Sequence, residues 1–419
     1  MKAFAGSGTQ GPSRPNSEIA GDFLDLAFQL ESGRTLPVLS RFEGPVTLAL
    51  RGDAPASMQA DLDRLLTRLR IEAGIDIRQR APEGRPASIT VEVVSKSDLQ
   101  RLVPHAACFV SPNVSSWREY KRMRRSASTD WTRLTTRKRM AVFLPGDVPP
   151  QEIRDCLHEE IAQALGPVND LYRLPDSVFN DDNFHTVLTG FDMLVLRAFY
   201  APELASGMTR DEVAAVLPGL LARLNPAGGT ASAGYGTSPT PKVWKTAIEA
   251  ALSGTGPADQ RRRAAMEAVS IARSQGWRGT RLAFSLFALG RLTLGQNSDV
   301  ALAAFREAEA IYRAGGSTHL QAAHMGVQLA AHALSLGKAE TAIAIADRHI
   351  APVMQAENAA LLATLLMIKA EGLDLLGRNS EARQVRFDSL GWARYGFGSD
   401  AEVGARLARI AAITPRVRG

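Results

Sequence analysis

The chain has 419 residues, 45% of them hydrophobic and 22% charged, with a formal net charge of +6 at pH 7. These proportions exclude a disordered chain and a membrane-embedded one, and they leave room for two or three domains with separate cores. No stretch approaches the roughly 18 uninterrupted apolar residues of a spanning helix.

Residues 1–16 are rich in Gly, Ser and Pro and are expected to be disordered. They lack the apolar centre of a signal peptide, so the protein is either cytoplasmic or a mature form without its leader. Apolar residues at helical spacing predict a helix over Ile19–Leu30. After Gly44 and Pro45, V-T-L-A-L-R alternates as a strand does. Ser57–Ala73 reads as an amphipathic helix whose stripe is Leu62, Leu65, Leu66, Leu69 and Ile71. Strands are expected at Ile75–Arg78, Ala87–Val94 and Met140–Leu144, the last as the edge of the sheet.

Between these strands lies a basic stretch. From Arg118 to Arg139 nine Lys or Arg residues stand against Glu119 and Asp130, with Trp117, Tyr120 and Trp131 interleaved. Arg118, Lys121, Arg122, Arg124, Arg125, Arg137, Lys138 and Arg139 form a candidate patch for an anionic surface. The plainer reading is a solvated loop between two strands. No spacing of a specific nucleic-acid-binding motif accompanies it. Cys108, in the apolar A-A-C-F-V, and Cys156 are either a disulfide pair or two reduced, buried thiols.

Gln151–Leu165 is predicted as a helix, and it runs into E-E-I-A-Q-A-L-G-P-V-N-D from Glu159 to Asp170. Ser177–Phe179 follows, and then L-T-G-F-D-M-L-V-L-R-A-F-Y, where Thr189 and Asp192 mark a helix N-terminus. Thr209 and Glu212 form a capping box for another helix. Asn225–Pro241 is dense in Gly, Pro, Ser and Thr and reads as a linker. Beyond it Gly295, Gly337 and Gly377 recur at helix ends, 42 and 40 residues apart. Each can end a helix in the left-handed conformation. Ala301, Ala304, Ala342, Ala346 and Ala382 let the next helix approach closely. The pattern predicts about three helical hairpins similar to tetratricopeptide repeats, with a plain helical bundle as the alternative.

The Glu159–Asp170 run resembles H-E-x-x-H-x-x-G-x-x-H-D, the zinc helix of matrixin-like metzincin peptidases. Glu160 falls at the general base, Gly166 at the helix break and Asp170 at the final aspartate. Glu159, Gln163 and Asn169 stand at the three histidine positions, and Phe179 at the Met-turn methionine. Leu188–Tyr200 resembles the closing matrixin helix. D-F-L-D-L-A-F-Q-L-E-S-G, R-F-E-G-P-V and C-L-H-E-E-I-A-Q-A-L-G-P-V-N-D are also similar to a family of uncharacterised alphaproteobacterial proteins. Its members are usually exported, which favours the Cys108–Cys156 disulfide.

These resemblances imply a layered α+β fold for residues 17–225, with a twisted sheet over an active-site-type helix. A linker (226–241), an all-α repeat domain (242–397) and a C-terminal helix or tail (398–419) follow. One acid and two amides suit zinc poorly, so neither metal nor cofactor is expected. Glu159, Gln163 and Asn169 are instead expected to hydrogen-bond one another, over a floor filled by Phe179. His158 is out of phase with Glu159 and Gln163 by about 100° of helix rotation. His105, His185, His319, His324, His332 and His349 have no evident catalytic partners. Asn180–Asn183 (N-D-D-N) reads as a turn.

The function expected is that of a non-catalytic pseudo-peptidase, a periplasmic or secreted scaffold whose helical repeats engage protein or peptide partners. The alternative is a peptidase with an atypical Glu159/Gln163/Asn169 metal site and Glu160 as general base.

Overall fold

A five-stranded sheet organises the first half of the chain, and helices alone build the second. The computed structural model describes Lys2, Phe4 and residues 11–80, 86–104, 106–231 and 238–415. Its two units are residues 8–237, and residues 238–419 together with 1–7.

In the first unit the strands are β1 (Val46–Arg51), β2 (Ile77–Gln79), β3 (Ile89–Val94), β4 (Phe109–Pro112) and β5 (Met140–Pro145). They lie in the order β2-β1-β3-β5-β4, parallel except for β4, which runs antiparallel to β5. The expectation that Met140–Leu144 is the edge strand is therefore corrected. β5 is interior, with every residue buried, and β4 is the edge.

The helices of this unit are α1 (Asn16–Phe28), α2 (Ala56–Glu72), α3 (Lys96–Leu102), α4 (Trp117–Met123), α5 (Pro150–Leu165), α6 (Gly190–Phe199) and α7 (Arg210–Leu224). Residues of α1, α2, α5, α6 and α7 share one core with Met140, Val142 and Leu144 of β5. Ala141 and Phe143, alternating to the opposite face as strand geometry requires, join Val114 and Trp117 in a smaller cluster. Most of the α2 stripe is buried as expected, but Ile71 is 76% exposed. It sits one residue from the helix end, off the arc that faces the core.

The basic stretch is not a plain loop. It contains α4 and two short 3-10 turns, Ala127–Thr129 and Trp131–Arg133. The Trp117 and Tyr120 rings pack on Phe143 at 5.1 and 5.3 Å between centroids. They serve the second core rather than standing open for base stacking. Of residues 1–16, expected to be disordered, residues 1, 3 and 5–10 lie outside the described residues, but Arg14 is held in place. Arg14 is 3% exposed, ion-paired to Asp22 and, at 3.1 Å, to Asp176. Arg173 bonds Asp22 and Asp25 at 2.8 Å, and Arg210 bonds Asp25 at 2.8 Å. This buried network ties α1 to the segment after α5 and to the start of α7.

Cys108, one residue before β4, is disulfide-bonded to Cys156 on α5, with Cα atoms 6.0 Å apart. The bond fastens the edge strand to the helix beneath it across a sequence separation of 48 residues. A loop of that length lowers the entropy of the unfolded chain enough for a stabilisation of about 2–4 kcal/mol. The Cys108→Ser/Cys156→Ser variant is expected to lose that amount in denaturant unfolding, and an unchanged midpoint would refute the estimate.

The second unit comprises α8 (Lys242–Leu252), α9 (Ala258–Ser274), α10 (Thr280–Thr293), α11 (Ser298–Ala314), α12 (His319–Ser335), α13 (Ala339–Gln355), α14 (Ala359–Leu375), α15 (Asn379–Phe397) and α16 (Asp400–Ala411). Successive helices pack on one another as antiparallel hairpins. Gly337 and Gly377 take the expected left-handed conformation, φ 69° and 72°, at the ends of α12 and α14. Gly295 does not, whereas Gly276 does, φ 69°, after α9. Ala301, Ala304, Ala342, Ala346 and Ala382 are all buried. Phe4 stacks on Trp392 at 4.5 Å between centroids, so the first residues belong to this unit. No helix among the described residues is long and apolar enough to cross a membrane.

Candidate functional site

Helix α5 carries Glu159, Glu160 and Gln163 of the residues singled out in the sequence, and two of its faces do different work. Glu159, Glu160 and Gln163 line a cavity of about 660 Å³. Cys108, Phe109 and Val110 form its wall along the edge strand, and Leu30, Val103, Trp131 and Val168 are among its other apolar contributors. Glu31, Asp170 and Asp181 supply three further carboxylates. On the opposite side of the helix, His158 is buried and its Nδ1 accepts the backbone N–H of Leu188 at 3.2 Å. Burial, with Arg154, Arg68 and Arg64 nearby, keeps that imidazole neutral well below its ordinary titration range.

Asn169 does not join the other two histidine-equivalent positions. Its side-chain amide donates to the Asp25 carbonyl at 3.0 Å, and its oxygen accepts the Asp170 N–H at 3.1 Å. It lies on the α1 side and does not line the cavity. Among the described residues no hydrogen bond links Glu159, Gln163 and Asn169, so the network expected of them is absent. The cause is mostly tertiary: the Asn169 amide is taken by the carbonyl of Asp25, 144 residues away, and its oxygen caps the next N–H in its own turn, in place of reaching across the break at Gly166. Phe179 is fully buried, as expected, in the main core of the unit.

The break itself is enforced. A Cβ on Gly166 would lie 2.9 Å from the Phe199 ring. The last carbonyls of α5 need donors, and Arg137 supplies two, to Gln163 and Gly166 at 2.5 Å each. Tyr200 Oη donates to the Leu165 carbonyl at 3.0 Å. Arg137 is 3% exposed, with no carboxylate within ion-pair reach among the described residues, and burial lowers its pKa to about 10. It therefore leaves the candidate anionic-surface patch. Arg139 leaves it too, held by Glu119 at 3.3 Å and the Asn113 carbonyl at 2.7 Å. Arg118, Lys121, Arg122, Arg125 and Lys138 remain exposed, with Arg124 half-buried.

Downstream, Asp192 is fully buried and collects Ser177 Oγ at 2.5 Å, Val178 N at 3.2 Å and Thr189 N at 2.7 Å. The capping box at the start of α6 thus also anchors the Ser177–Phe179 turn under α5. The Asn180–Asn183 turn closes on its own side chains: Asp182 N donates to Asn180 Oδ1, and Phe184 N to Asp182 Oδ1, both at 3.1 Å. Of the histidines, His349 has a partner the sequence did not suggest, Glu309 at 3.5 Å within the helical unit. His105 lies outside the described residues.

Electrostatically the cavity is one-signed. Five carboxylates face it, and among the described residues no Lys or Arg lines it. Burial, and then repulsion from Glu31, Asp181 and Asp155, raises Glu159 to about 7. Burial and then Glu159 and Glu31 hold Glu160 well above the carboxylate range. Asp170 is raised in the same way by burial, then by Glu159, Glu31 and Asp181. The sequence had pointed to Glu159, Glu160, Gln163 and Asp170. It gave little sign of Glu31, whose only hint is its place near the end of the segment D-F-L-D-L-A-F-Q-L-E-S-G.

Residues 16–219 match the model of a family described as a protein of unknown function (DUF2927). The matched stretch runs from the first residue of α1 into α7 and ends before the helical unit. No curated protein and no solved structure matches the chain.

Proposed function

We propose that the first unit is a peptidase-like frame that binds an extended polypeptide without cleaving it, and that the helical unit engages a protein partner. Asn169 carries this reading. With its amide committed to the Asp25 carbonyl, the positions a metzincin would fill with three histidines leave only Glu159 and Gln163 facing the cavity. One acid and one amide are a poor donor set for zinc, and without a zinc ion at those positions Glu160 has no zinc-bound water to deprotonate.

The binding surface is the other part of the frame. β4 is an edge strand, and its residues Phe109 and Val110 line the cavity, which suits a guest strand laid beside it. The Cys108–Cys156 disulfide supports an exported protein, periplasmic or secreted. Stacked helical hairpins commonly present concave surfaces to polypeptides.

A peptide library screened for both binding and cleavage tests the proposal. Binding should be weakened at least about tenfold by Val110→Glu, roughly 1.4 kcal/mol, and bound peptides should be recovered intact. Peptide cleavage that disappears in Glu160→Gln would instead establish the peptidase alternative.

A further inference from the structure

Glu31, Asp170 and Asp181 each place one carboxylate oxygen within 4.8 Å of the other two. They come from three separate stretches of chain: the turn after α1, the segment after Gly166 and the Asn180–Asn183 turn. All three line the same cavity.

A second observation is independent of that cluster. Glu160, projecting from α5 into the same cavity, is only 5% exposed, and its Oε2 has no hydrogen-bond partner among the described residues. A buried carboxylate ordinarily finds a donor or a cation. Among the described residues neither Lys nor Arg lines the space, so within it a countercharge can come only from a bound proton or an entering cation.

We propose that Glu31, Asp170 and Asp181 bind a calcium ion in the cavity that the unpartnered Glu160 carboxyl also lines. The donors are all oxygens, a hard set that zinc disfavours. Calcium–oxygen distances of about 2.3–2.6 Å allow two ligands of one ion to stand up to about 5 Å apart, and water completes its six to eight positions. Magnesium, at about 2.0–2.1 Å in a strict octahedron, needs the oxygens closer together. Glu31 is exposed and Asp181 half-buried in a turn, so both can settle around a large, geometrically tolerant ion. The site shares no residue with the histidine-equivalent positions Glu159, Gln163 and Asn169, and it stands or falls apart from peptide binding.

The test uses the full chain, stripped with a chelator and titrated with CaCl2, MgCl2 or ZnCl2 alone, by calorimetry and thermal unfolding. The expected result is one calcium per chain, bound at least about tenfold tighter than magnesium, with a rise in unfolding temperature. Glu31→Gln and Asp181→Asn each weaken calcium binding at least about tenfold while unfolding like the metal-free parent. Both positions lie outside the core, so a folding defect does not confuse the result. The proposal is overturned if millimolar calcium produces neither heat nor a temperature shift, or if the Glu31→Gln/Asp181→Asn double variant keeps the full calcium response. Zinc binding that exceeds calcium binding and survives in that double variant would overturn it equally. No peptide is present in any arm, so none of these outcomes bears on the proposed polypeptide cleft.

Discussion

Arg137→Met is expected to destabilise the first unit by about 3–5 kcal/mol. The methionine keeps most of the aliphatic volume but leaves the carbonyls of Gln163 and Gly166 without their donor. Each buried carbonyl so abandoned costs about 1–3 kcal/mol. The two sit at the negative end of the α5 dipole, where a cation adds further stabilisation. Without the guanidinium, the turn from Gly166 to Asp170 loses the clamp that sets its path. Chemical denaturation measures the loss, and hydrogen exchange should show it first in the last turn of α5. A cost under about 1 kcal/mol, the level of an ordinary surface substitution, would mean that water replaces the guanidinium and that the clamp is incidental.

Stability of the first unit is expected to fall as pH rises from about 5 to 8 in the presence of chelator. Glu159 titrates at about 7 in the folded protein, against about 4.3 in an unfolded chain. Between those values the folded state binds the extra proton, so the stabilising contribution is complete below the unfolded pKa. It is lost as pH climbs through the folded one. Glu159 alone supplies up to about 3 kcal/mol of this change. Glu160 and Asp170, raised by the same burial and mutual repulsion, act in the same direction. The transition that responds to reduction of Cys108–Cys156 identifies the unit in a full-chain experiment. Glu159→Gln should flatten its pH profile, and a profile that is flat in the parent would show that the carboxylates titrate normally.

What could be read from the sequence was mostly local. The N-terminus of α6 and the capping box of α7 are legible because their partners lie three residues apart. Helix α5 was visible because its spacing and its glycine-proline stop are properties of one segment. β4 was harder, being four residues that end in a proline. Helix α4 hid behind its charge. Arg118, Lys121 and Arg122 made it look like a solvated loop, although Trp117 and Tyr120 one turn apart were the sign of a buried face.

The site divides in the same way. Glu159, Glu160 and Gln163 follow from helical periodicity. Asn169 was placed by likeness to a template, yet its orientation depended on the Asp25 carbonyl, a contact spanning 144 residues. Arg137 was counted among surface cations because a run of basic residues says nothing about which of them finds buried carbonyls. Glu31 joins the cluster only through tertiary folding.

The sheet ends in strands of three and four residues, β2 and β4. A visiting chain aligned with β4 can form only a few ladder hydrogen bonds, each contributing about 0.5–1.5 kcal/mol. That total falls well short of the roughly 8 kcal/mol behind micromolar affinity. Discrimination among guests must consequently come from their side chains, so a recognised sequence should show strong preferences at the one or two positions that dip beside Phe109 and Val110 and tolerance elsewhere.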